Sequence, residues 1–141
     1  MKRNLTIIAG LMFMVLSLSS FAKENFGPLK GLSSKHVVMN YVKATTLGEI
    51  LYNEHLFTDD FEYTNTANKN KINKKDYVKF LSANKDLKFD CETKYEVLDQ
   101  TGKTAIAKAT MAFDNFTRVD IITLSLADDE WKISNIVSTY K

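Results

Sequence analysis

Residues 87–97, LKFDCETKYEV, alternate without interruption. Leu87, Phe89, Cys91, Thr93, Tyr95 and Val97 take one parity, and Lys88, Asp90, Glu92, Lys94 and Glu96 take the other. Period two with one dry and one wet face fits a strand in a sheet covered on one side, and it does not fit a helix. More strands are expected after it, over 104–114, 118–127 and 131–140. The turns between them are marked by Gln100-Thr101-Gly102-Lys103, Asn115 and Asp128-Asp129. Short connections imply an antiparallel meander. Its dry face needs a cover.

The cover lies upstream. A helix capped by Ser33 or Ser34 places Val37, Val38, Tyr41, Val42 and Thr45 on one face, and Gly48 ends it. A short second helix is expected over 49–55, burying Ile50 and Leu51. The aromatic FEYTNT suits a strand, and the polar stretch 67–75 suits a loop whose four Lys form a solvated face. Asn73 caps a third helix carrying Tyr77, Phe80 and Leu81. The expected fold is therefore α+β: three N-terminal helices packed on a curved antiparallel sheet, in the order α-α-β-α-β-β-β-β. In the strand 104–114, Ala105, Ala107 and Ala109 share a face with Met111 and Phe113; so many small residues signal either close helix packing or a cavity.

The first residues follow a different logic. Lys2 and Arg3 precede an uncharged apolar run over 5–18, and Ser20-Phe21-Ala22 has small residues where a signal peptidase reads. The run is too short to span a bilayer. A signal peptide over 1–22, an irregular lead-in over 23–33 and one domain over 34–141 are expected, with the protein exported to the periplasm or secreted and without membrane attachment after cleavage. Lys2 and Arg3 account for the whole formal charge of +2, so the remainder is neutral and has no basic footprint for nucleic acid. Cys91 is the only cysteine, which excludes an internal disulfide, and its strand position predicts a buried thiol.

The order of elements, with Gly48-Glu49, Leu56, Asp60-Phe61-Glu62-Tyr63 and the closing Trp131-Lys132-Ile133, resembles the nuclear transport factor 2-like superfamily. The likeness is greatest to exported bacterial members that carry a lumazine-binding label. It implies a cone in which the sheet curls around a central pocket, with dimerisation through the outer sheet face in many members. It leaves function open, because the scaffold hosts isomerases, dehydratases, cyclases and binding proteins.

An isomerase-type site needs a carboxylate base and a neutral oxyanion donor facing one cavity. Tyr41 with Asp60, or with Asp120, would supply them, but Asp120 reads equally as an edge charge or an inward carboxylate. His36 and His55 lie at helix ends, away from any cavity. No His, Cys or Asp cluster has metal-ligand spacing and no Gly-rich phosphate loop occurs, so no metal or cofactor is expected. The preferred reading is an exported domain that binds a small apolar or aromatic ligand without catalysis, as a homodimer. Its pocket would be lined by Tyr41, Tyr63, Phe80, Phe89, Met111, Phe113, Trp131 and Asn135. Asn135 shares the parity of Trp131, Ile133 and Val137, and a polar group on the dry face must find a partner. An interaction module with a filled core is the remaining alternative.

Overall fold

The computed structural model describes residues 27–141, so the expected leader over 1–22 and the start of the lead-in lie outside the described residues. Two helices and six strands occur among the described residues: α1 (Ser34–Leu47), β1 (Phe57–Asn65), β2 (Asn70–Asn73), α2 (Lys74–Ala83), β3 (Glu92–Thr101), β4 (Thr104–Ala112), β5 (Thr117–Ala127) and β6 (Glu130–Tyr140). The strands form one curved sheet in the order β2-β1-β6-β5-β4-β3. The fold is α+β, as expected.

Local chemistry explains the helices. Ser33 Oγ accepts from the His36 amide at 3.2 Å, capping α1. Val37, Val38 and Tyr41 are fully buried on its sheet-facing side. At its C-terminus Gly48 has φ 66°, and a Cβ there would lie within 2.4 Å of the Asp86 amide nitrogen. Only glycine serves both needs. Asn73 Oδ1 caps α2 by accepting from the Asp76 amide at 3.0 Å.

Four expectations are corrected. The segment 49–55 is a run of turns with i+3 bonds such as Asn53 N to Ile50 O, and Leu51 is 78% exposed. A stretch this short cannot offset the cost of nucleating a helix. Residues within 67–75 form a hairpin: the Asn65 and Asn68 side chains accept from the amides of Ala67 and Asn70, and Lys69 turns with φ 60°, folding β2 back onto β1. The sheet is not wholly antiparallel, because β1 lies parallel to β6. The chain leaves β1 through β2 and α2, crosses over, and returns to β1 only as the last strand of the meander.

The fourth correction concerns 87–91. These residues precede β3 because their backbone is taken by the end of α1: Asp86 N donates to Gly48 O at 3.1 Å, and Phe89 N donates to Thr46 O at 2.8 Å. Leu87 and Phe89 are about half exposed, and Cys91 is half-buried rather than buried.

The core lies between α1 and the concave sheet face. Ala105, Ala107 and Ala109 are buried there against α1, so the alanine stripe serves close helix packing. Leu29 of the lead-in is fully buried, and Gly31 N donates to Asp129 O on the β5–β6 turn, tying the lead-in to the sheet.

Candidate functional site

Asp120 is completely buried on the concave face of β5, two residues after Arg118. Its carboxylate accepts four hydrogen bonds. Oδ1 takes them from Arg118 Nε at 2.9 Å and from Ser138 Oγ at 2.5 Å. Oδ2 takes them from Arg118 Nη2 at 2.9 Å and from Tyr41 Oη at 2.6 Å. A carboxylate has about four acceptor positions, so none is left over. Because Tyr41 spends its proton on Asp120, its oxygen accepts from Arg118 Nη2 at 3.1 Å and from Tyr77 Oη at 3.2 Å.

Strand pairing assembles this cluster. Asp120 lies opposite Ala109 on β4 and Ser138 on β6, and the small alanine gives α1 room to bring Tyr41 down onto the carboxylate. A bulge at Ser134 sets the parity of β6, where Leu124 pairs with Ile133 and Thr123 with Asn135. Beyond it Ile136 and Ser138 turn inward. Asn135 is thereby moved off the concave face, which corrects its expected place in the pocket lining.

Electrostatics lock the protons in place. Burial, reinforced by the Asp120 charge, pushes the Tyr41 phenol well above its usual range, and burial does the same for Tyr77. Burial works against the charged Arg118, but the facing Tyr41 and Asp120 outweigh it and raise its pKa. The phenols give a testable pH dependence. Above the ordinary phenol pKa of 10.0, an unfolded chain releases protons that the native state keeps. Their contribution is therefore intact below that pH and is lost as pH rises through the folded-state values. The unfolding free energy from urea titrations should be level from about pH 7 to 9 and, above about pH 10, fall by ~1.4 kcal/mol per pH unit for each held phenol. A curve flat to about pH 11 would contradict this.

Beside the cluster, near the C-terminal ends of α1 and α2, a pocket of about 360 Å³ opens to solvent. Phe80, Phe89, Met111 and Phe113 line it. Phe116 and Tyr140 line it too and were not foreseen. Phe113 and Phe116 stack at 4.6 Å, and the exposed Phe80 and Phe89 stand at the mouth. Arg118 forms part of the wall, with 16% of its side chain exposed.

The other candidates fall elsewhere. Tyr41 lies behind Arg118, sealed from the pocket. Tyr63 is also outside the pocket lining, stacked on Tyr77 at 4.7 Å with the Arg118 guanidinium 5.9 Å from its ring. Trp131 is buried opposite Leu126 near the β5–β6 turn, outside the pocket lining. Asp60 is exposed and accepts from Thr58 Oγ1 at 2.7 Å, so the Tyr41–Asp60 pair is not assembled. Asp120 is the carboxylate that meets Tyr41. The sequence held one signal for the missed partner: Arg118 shares the inward parity of Asp120, Ile122 and Leu124.

A family model described as "Putative lumazine-binding" matches residues 33–139. The chain belongs to that family. Solved structures agree on the fold of this lumazine-binding-like domain. A nuclear transport factor 2-like protein of unknown function from Silicibacter pomeroyi DSS-3 is 16% identical with a TM-score of 0.63, over 76% of this chain and 92% of that one. One from Methylobacillus flagellatus KT, also of unknown function, is 21% identical with a TM-score of 0.62, over 76% and 88%. A third, from Cytophaga hutchinsonii ATCC 33406, is 15% identical with a TM-score of 0.60, over 77% and 98%. At such identities the likeness carries the nuclear transport factor 2-like fold alone. Among proteins of curated function, none matches this sequence.

Proposed function

We propose that this lumazine-binding-like domain is an exported, non-catalytic binding protein whose apolar, aromatic-lined pocket takes a small planar ligand. One observation carries the reading: the roughly 360 Å³ slot between Phe80, Phe89, Met111 and the stacked Phe113–Phe116 pair. Its size and lining suit a small aromatic molecule, and the family's printed label agrees with such a ligand. Titrating a panel of bicyclic aromatics into isotope-labelled protein should move the amide resonances of Phe89, Met111 and Phe113. Shifts confined to the outer sheet face would sink the reading.

Export rests on the Lys2-Arg3 start, the apolar run and the Ser20–Ala22 cleavage pattern, with the periplasm or the exterior as destination. A homodimer is part of the same proposal. The outer face carries exposed Ile106 and Ile121, with Val137 paired to Ile121, an apolar stripe that a second copy would cover. Sedimentation should give twice the chain mass, and Ile121→Lys should give the monomer with the fold intact.

The Tyr41–Asp120 contact favours an isomerase-type alternative, since it joins a phenol to a carboxylate at 2.6 Å. A general base, however, must reach the substrate proton with a free lone pair. Asp120 is sealed from solvent with its acceptor positions filled. We therefore assign the pair to holding Arg118 in place.

A further inference from the structure

The binding reading leaves one pocket feature without a role. Arg118 presents Nε and Nη2 to Asp120, and Nη2 also donates to Tyr41. Its remaining nitrogen, Nη1, has no acceptor among the described residues, although it carries two of the five guanidinium donors. The guanidinium is planar, so with the Nε–Nη2 edge turned to the buried Asp120, Nη1 points away from that carboxylate. Arg118 is a wall of the aromatic slot.

Charge decides what Nη1 would hold. A lone arginine at the end of an apolar slot selects an anion, because a carboxylate would neutralise it. Here the charge is already balanced by Asp120 in a two-point ion pair. A ligand carboxylate would bring a second negative charge into a half-enclosed site with one cation to share, at the cost of its own desolvation. A neutral carbonyl oxygen has two lone pairs, accepts from a charged donor and adds no net charge.

We propose, resting on the pocket reading above, that Arg118 is a specificity-determining residue that selects an uncharged planar aromatic molecule bearing a carbonyl or amide oxygen, with that oxygen on Nη1 and the rings among Phe80, Phe89 and Phe113. The arginine acts here as a fixed dipolar donor. The Asp120, Tyr41 and Ser138 contacts keep it from swinging out to solvent when the pocket is empty.

Calorimetric titration of the purified protein with 2-naphthamide, 2-naphthoate and naphthalene separates the possibilities. The amide should bind about tenfold or more tightly than either other probe, the worth of one hydrogen bond to a charged donor. Binding of the naphthoate as tight as the amide would overturn the neutral-oxygen assignment and leave the pocket reading standing. Naphthalene equal to the amide would remove Arg118 from recognition, again with the pocket intact. No binding by any of the three would overturn both. In Arg118→Met/Asp120→Asn, checked for folding by its circular dichroism melt, the preference for the amide over naphthalene should vanish. A preference that persists would overturn the assignment. Should the double variant not fold, the probe series on the unaltered protein decides.

Discussion

Asp120→Ala should lower the free energy of unfolding by about 3–5 kcal/mol, the largest effect expected from any single polar substitution in the domain. The change strips Arg118 of its ion-pair partner and leaves the donors of the fully buried Tyr41 and Ser138 facing an empty space. The loss comes from stranding these groups, since a buried pair as a whole contributes little net stability against its desolvation. Arg118→Met/Asp120→Asn removes the charges together and keeps an oxygen for Tyr41, so it should regain more than half of the deficit. Urea unfolding followed by circular dichroism measures both. A loss below about 1 kcal/mol for Asp120→Ala is the figure for an exposed pair, and it would show that water reaches the cluster.

Tyr77→Ala should cost a similar ~3–5 kcal/mol, the range for deleting a large buried aromatic ring. Tyr77 is the hub of the second core layer. Its ring centroid lies 4.7 Å from that of Tyr63, 5.3 Å from Phe61, 5.5 Å from Phe57 and 6.0 Å from Phe80. Removing it opens a cavity where α2 meets β1 and withdraws the support behind Phe80, so aromatic ligands should bind more weakly as well. Tyr77→Phe keeps the ring and deletes only the donor to Tyr41, costing about 1 kcal/mol. Equal losses in the two variants would place the energy in the hydroxyl and contradict this packing account.

The candidate site was legible where its signals are local. Phe80 was named from helical spacing and Met111 from strand parity, and both line the pocket; Phe89 lines it too, although the strand that its parity predicted begins only at Glu92. Phe116 and Tyr140 escaped because one sits in a turn and the other at a strand end, where no period operates. Asp120 was recognised as ambiguous, since parity alone cannot tell an edge carboxylate from an inward one. The burial of its partners decides that, and Tyr41 and Ser138 lie far from it in sequence.

By itself the sequence determined what depends on neighbours along the chain. Ser33 and Asn73 specify helix starts, Gly48 specifies a stop, and alternation marks the β meander, because caps, turns and period two act over a few residues. Tertiary structure decided whatever depends on pairing between distant segments. The bulge at Ser134 reversed the parity of β6, removing Asn135 from the inner face and bringing Ser138 to it. Docking against the end of α1 kept 87–91 out of the sheet, and the crossover set β1 parallel to β6. The physical reason is the same in each case: register and bulges are chosen by the summed hydrogen bonding and burial of two strands together, and neither strand carries that sum alone.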